Sequence, residues 1–230
     1  MLHALRTDLE ANIDLAYKAR VRTHFNMDVS HFLGVRTPVV RQISGAHFKQ
    51  LKSEPIDAVL GLYGQLLQTR LYEYKIIAFN WSYRCRKHYE PKHFSLFVQW
   101  LKEYVDDWGD CDYFCTHTLG SFLLQQPDFL THVKAWTADK SRWVRRASAV
   151  SLIYGLRRET HLKEAFEVAK LLFRDEDDLV QKGCGWMLKE ASKNSPERVF
   201  DYVLQWRTAM PRTTLRYAVE RFAKEDRQNC

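Results

Sequence analysis

With 230 residues, 46% hydrophobic and 13% aromatic, the chain is long and apolar enough to bury a core and is no disordered polymer. Nine Gly and six Pro supply too few tight turns for an all-β fold. The formal charge of +7 favours a polyanionic partner.

The chain opens Met1-Leu2-His3-Ala4-Leu5-Arg6-Thr7-Asp8, charged before any apolar stretch develops, so no secretory leader is expected. No apolar run approaches bilayer length, so no membrane contact is expected either. The cysteines at 85, 111, 115, 184 and 230 are odd in number and scattered, which predicts reduced thiols and a cytoplasmic protein. Helix starts are predicted at Thr37-Pro38, Ser53-Glu54-Pro55 and Ser195-Pro196, where a capping hydroxyl stands at or near a proline suited to the first turn. Gln126-Pro127-Asp128 and Met210-Pro211-Arg212 punctuate the chain between helices. Phe94, Phe97, Val98, Leu101 and Tyr104 form one helical stripe, and Leu162, Ala165, Ala169 and Leu172 another. Val199, Tyr202, Val203 and Trp206 make a third. The pattern predicts about twelve helices and no strand.

The second half repeats. Val144 to Val150 can be laid over Val180 to Trp186, and Leu215-Arg216-Tyr217-Ala218-Val219 follows at a similar interval. Asp112, Arg146, Lys182 and Arg216 then stand 34, 36 and 34 residues apart. A period of this size built from helix pairs predicts an all-α chain, an α-solenoid of about six pairs. No Pro/Gly/Ser-rich linker interrupts it, so residues 1–230 read as a single domain. Equivalent positions line one face of such a stack, giving a column of acid, base, base, base, with Lys75 a further base on the N-terminal side. Exposed charges on helix faces would look the same.

Trp108 and Asp112 lie one helical turn apart, as do Lys182 and Trp186. Gly183 and Gly185 flank Trp186; two glycines in a helix need a packing or access reason, since each costs up to about 1 kcal/mol relative to alanine. The bland alternatives are core packing for either tryptophan and a helix N-terminal acid for Asp112, beside Asp106, Asp107 and Asp110. Cys111, Cys115 and His117 have no second pair of ligands at zinc spacing, and no His-Glu-x-x-His is present, so no metal is expected. No phosphate-binding Gly-x-x-x-x-Gly-Lys-Ser/Thr motif is present, and no cofactor is implied. Thr116, His117 and Tyr113 surround the acid without an assigned role.

Four stretches together carry a resemblance: Phe32-Leu33-Gly34-Val35-Arg36-Thr37-Pro38, Trp108-x-x-x-Asp112 with Leu119-Gly120, Trp143-x-x-Arg146-Ala147, and Gln181-Lys182-x-x-Gly185-Trp186. Over nearly its whole length the chain resembles the HEAT-like-repeat DNA alkylation repair glycosylases of the AlkD type. The resemblance implies a solenoid whose concave basic face holds duplex DNA containing alkylated purines. It also implies hydrolysis of the N-glycosidic bond of cationic N3- or N7-alkylpurines. Carried over residue by residue, Asp112 is the catalytic carboxylate, Trp108 and Trp186 contact the lesion's deoxyribose, and Arg146 binds the backbone beside them. Lys182, Arg216, Arg36, Phe25 and Lys75 complete the expected DNA-binding set, and a monomer is expected. Phe25 stands where the family commonly has Tyr, and Arg36 where some members have Gln. The alternative on the same scaffold is a non-catalytic binder of branched or damaged DNA.

Overall fold

A computed structural model describes residues 1–25 and 29–229, and among them no strand occurs. The chain divides into two compact units, Met1–Tyr89 and Glu90–Cys230.

The first unit holds α1 (Leu2–Glu10), α2 (Leu15–Phe25), α3 (Thr37–Phe48), α4 (Ile56–Gln68) and α5 (Tyr72–Arg84). Its core gathers on Tyr63, Phe79, Trp81 and the leucines of α4, and the Trp81 indole N–H donates to the Ser44 carbonyl at 3.0 Å. The loop entering α3 is fixed by one buried carboxylate. Glu73 accepts the backbone N–H groups of Leu33, Gly34 and Val35 at 3.0, 2.9 and 3.0 Å. Gly34 adopts φ +106°, which L side chains rarely take, and a Cβ there would lie 3.0 Å from Lys18 Cβ. The backbone angle and the close approach to Lys18 explain the glycine at position 34.

The second unit begins with α6 (His93–Tyr104). One long helix follows in three pieces: α7 (Trp108–Phe114), a π-helical segment (Cys115–Leu119) and α8 (Gly120–Gln125). After α9 (Leu130–Ala135) come α10 (Arg142–Val150), α11 (Ile153–Leu156) and α12 (Leu162–Leu172). The unit ends with α13 (Asp178–Ala191), α14 (Pro196–Trp206), α15 (Arg212–Ala218) and α16 (Lys224–Asn229). More segments appear than the sequence pattern suggests, in part because the helix over 108–125 changes pitch at Cys115–Leu119.

Helices α7, α10, α13 and α15 pack side by side in chain order. A second row runs behind them, where α9 meets α12 and α12 meets α14. There the Phe166 and Tyr202 rings stack at 4.2 Å, and the Tyr202 hydroxyl donates to the Phe166 carbonyl at 2.7 Å. Neither row could bury its apolar face alone, so the two layers share one core. The fold is all-α, an α-solenoid.

The helix starts differ in detail from expectation. Arg36, not Thr37, is the N-cap of α3, and Pro55 that of α4. Ser195 does cap α14, without a side-chain hydrogen bond. Carboxylates do this work instead at Asp107 before α7 and Asp177 before α13, whose side chains accept from N–H groups of the first turn.

Candidate active site

Asp107 accepts the Asp110 N–H at 2.8 Å and so sets the start of α7, with Trp108 as its first residue. The N-terminal acid is therefore Asp107, and the bland role considered for Asp112 is already filled. Trp108 is 62% exposed and has no core function. One turn later Asp112 points toward α10, where Arg146 donates to both carboxylate oxygens: Nε to Oδ1 at 2.8 Å and Nη2 to Oδ2 at 2.9 Å. The remaining guanidinium nitrogen, Nη1, donates to the Leu179 carbonyl in the first turn of α13. One arginine thus ties three successive inner helices at the level of the acid.

Gly183 makes this crossing possible. A Cβ there would lie 3.1 Å from both Cγ and Nη1 of Arg146. Gly185 has a parallel reason: its Cβ would fall 2.5 Å from Tyr217 Cβ and 2.7 Å from the Thr214 carbonyl oxygen, so its absence lets α15 close onto α13. Both glycines are packing requirements.

The result is a cleft of about 380 Å³, lined by Trp108, Asp112 and Trp186 together with Arg146 and Lys182. Tyr217 and Leu179 complete the wall. The site therefore has three aromatic side chains around one carboxylate. Burial pushes the Asp112 carboxyl above its ordinary value, while the bidentate guanidinium opposes this by favouring the anion. Trp186 is half-buried on α13, and its indole N–H donates to Glu190 Oε1 at 3.3 Å.

The helix changes pitch directly after the acid, and π segments of this kind occur often at functional sites. Thr116 and His117 find their roles here. The Thr116 hydroxyl donates to the Asp112 carbonyl at 2.6 Å, and His117 Nδ1 lies 2.9 Å from the Tyr113 carbonyl. These bonds serve the carbonyls of the turn where the backbone pattern shifts. Cys111 and Cys115 are buried, with their sulfurs 4.0 Å apart. Cys230 lies outside the described residues. The carboxylates of Asp106, Asp107 and Asp110 converge within 4.8 Å, but Asp107 is engaged in capping.

Five residues singled out in the sequence, Trp108, Asp112, Arg146, Lys182 and Trp186, share this one cleft. Arg146 has a different occupation from the backbone contact expected of it. Its side chain is only 6% exposed, and Nε, Nη1 and Nη2 are all engaged within the protein. Lys182 is solvent-facing and pairs with Asp178 at 2.6 Å, and Arg216 is exposed on α15 with its guanidinium 5.6 Å from the Tyr217 ring centre. In the first unit Arg36 donates to Asp14 at 2.9 Å and lies 4.9 Å from the Tyr17 ring centre. Lys75 is buried at 4% exposure, which argues against the surface phosphate contact expected of it. Its place on the inward face of α5, among Tyr74, Ile77 and Ala78, accounts for the difference. Phe25 ends α2, and its side chain lies outside the described residues.

Sequence reasoning missed Tyr217, Leu179 and Glu190. Tyr217 follows Arg216 in the repeated column, and the Gly185 that admits it was visible, but pairing the two requires knowing that α13 and α15 touch.

The family model of the DNA alkylation repair enzymes matches residues 5–222. The chain belongs to the DNA alkylation repair enzyme family. DNA alkylation repair is therefore its field of action, with DNA as substrate. Its fold is similar to a solved structure, the "predicted DNA alkylation repair enzyme" from Enterococcus faecalis, with a TM-score of 0.80 and 17% identity over 93% of this chain and 98% of that one. Comparison with curated proteins finds no match. No helix among the described residues of this family member is long and apolar enough to cross a membrane.

Proposed function

We propose that this protein is a monofunctional DNA glycosylase that hydrolyses the N-glycosidic bond of cationic N3- or N7-alkylated purines in duplex DNA. One observation carries the reading: a single anchored carboxylate, Asp112, shares a cleft with the indoles of Trp108 and Trp186. Alkylation at N3 or N7 leaves the purine positively charged, so it departs as a neutral base and no general acid is required. Positive charge instead builds on the deoxyribose as an oxocarbenium-like centre. A fixed carboxylate and aromatic faces stabilise that charge without reorganising during the reaction. This explains one acid where sugar–sugar hydrolysis uses two. Asp112 also accepts a proton from the attacking water. Arg146 holds both carboxylate oxygens in place and favours the ionised form. Lys182 and Arg216 face solvent and meet phosphates, giving salt-dependent and largely sequence-independent binding.

The test is release of 7-methylguanine from methylated duplex DNA without added metal. Asp112→Asn is expected to slow release by roughly 100-fold or more, the usual cost of losing one electrostatic stabiliser, while leaving DNA affinity nearly unchanged. An Asp112→Asn protein as fast as wild type would remove the acid from the mechanism. Salt-dependent DNA binding by a wild type that releases no base would instead favour the non-catalytic binder of branched or damaged DNA.

A further inference from the structure

A second carboxylate lies behind the cleft, and the glycosylase mechanism does not use it. Glu190 stands one turn after Trp186 on α13 and is 4% exposed. Three donors converge on it. Arg157, just past α11, donates through Nε to Oε2 at 2.8 Å; Lys193 reaches Oε1 at 2.7 Å and Oε2 at 2.8 Å; the Trp186 indole N–H reaches Oε1 at 3.3 Å. We infer that Glu190 is a positioning residue for the reaction, holding the Trp186 indole at the angle that turns its face into the cleft. The inference rests on the glycosylase reading for its kinetic consequence, but not for its structural one.

Glu190 limits the rotational freedom of an indole. Tryptophan has two side-chain torsions, and its N–H is a donor with no acceptor capacity. A half-buried indole beside an open cleft can rotate to hydrate that N–H, and rotation would present its edge to a bound sugar. The face is the negative part of the ring and the edge the positive part. A sugar cation is stabilised by the face and repelled by the edge, so orientation decides the sign of the interaction. Trp186 lines the cleft while its N–H meets the Glu190 carboxylate, so this acceptor fixes how the ring is presented to a bound sugar. The carboxylate is itself immobile, because Arg157 and Lys193 approach it from segments on either side of Trp186 in the chain. A side chain that only fastened helices together would need those two cations and not the indole.

Two measurements separate positioning from fastening. In wild-type protein carrying ¹⁵N-labelled tryptophan, the indole N–H resonance that disappears in Trp186→Phe is expected to be protected from solvent exchange and to move in Glu190→Leu. In single-turnover base release, Glu190→Leu is expected to be about 10-fold slower with unchanged DNA affinity, a modest share of what misplacement of a contacting group can cost. Glu190→Gln keeps an acceptor and is expected to stay within about 3-fold of wild type, and the penalty of Glu190→Leu is expected to vanish in a Trp186→Phe background. A Trp186 indole N–H that exchanges at once in the wild type overturns the inference, and needs no variant to fold. So does a Glu190→Leu protein that loses thermal stability yet releases base at the wild-type rate. A wild type that releases no base refutes the glycosylase reading and leaves the exchange measurement to decide the contact.

Discussion

Replacing Arg146 with alanine removes the guanidinium that holds Asp112. The Arg146 side chain is 6% exposed and that of Asp112 19%, so the variant leaves a carboxylate in a largely dry site. It also strips the Leu179 carbonyl of its guanidinium donor and empties the space over Gly183. Breaking a buried pair by deleting one partner costs about 3–5 kcal/mol, and because Asp112 borders an open cleft the lower end, about 3 kcal/mol, applies here. For a chain of this size that is a loss of roughly 6–12 °C in Tm. The deficit has a definite pH dependence. Burial, opposed by Arg146, already holds the Asp112 carboxyl above its ordinary value, and without Arg146 it rises further. A carboxyl raised in the folded state favours folding below its unfolded value, and that contribution is lost as pH rises through the folded value. The Arg146→Ala deficit is therefore largest at neutral pH and shrinks in acid, where Asp112 is protonated. Thermal unfolding followed by circular dichroism across pH measures this, and adding Asp112→Asn to the variant should cost less than the sum of the single changes. A Tm within about 2 °C of wild type at neutral pH, or strictly additive costs, would refute the reasoning, since an effect that small is what an exposed pair gives.

Arg157 and Lys193 outweigh burial and hold the Glu190 carboxyl down from 4.5 to about 2. Its stabilisation is present above the unfolded value and is lost as pH falls toward about 2, so Glu190→Gln should flatten the acid limb of the Tm–pH curve between those values. In Gly185→Ala the new Cβ meets Tyr217 Cβ at 2.5 Å and the Thr214 carbonyl oxygen at 2.7 Å, and a backbone shift of α15 is forced. Chemical denaturation should show a loss of about 1–3 kcal/mol. Lys182→Ala should leave thermal stability unchanged, because its pair with Asp178 is exposed. It should lower the slope of log K against log salt for duplex binding by about 0.9, and an unchanged slope would remove Lys182 from the phosphate contacts.

What the sequence made legible followed from spacing. Trp108 and Asp112 share a face because four residues make about one turn, and the column of Asp112, Arg146, Lys182 and Arg216 follows from the period of the helix pairs. The all-helical class was equally readable from stripes such as Phe94 to Tyr104. What stayed hidden depends on which helix faces touch. The sequence left a packing and an access reason open for Gly183 and Gly185, and each is explained by packing against a neighbour from another helix, Arg146 in one case and Tyr217 in the other. Lys75 looked like one more surface base because charge alone does not reveal that α5 buries that face. The π segment after Asp112 leaves no compositional mark, since Cys115–Leu119 continues an ordinary helical pattern.

The column itself has a physical consequence that its one-dimensional reading concealed. Four charges at one register on successive helices look like four independent contacts for a polyanion. Packed inner helices, however, stand about 8–10 Å apart, which is within reach of a long side chain crossing from one to the next. An acid and an arginine in adjacent places must therefore meet, and Arg146 is consumed by Asp112 before any phosphate arrives. The bases that follow have no column acid beside them. Lys182 pairs with an exposed acid one turn away, and Arg216 lies near the Tyr217 ring. The same register thus yields two kinds of charge: an anchored acid–arginine pair in the cleft and solvent-facing cations beyond it; on the proposed glycosylase reading the first is aimed at the sugar cation and the second at phosphates. Placing the single acid first in the series is what divides them.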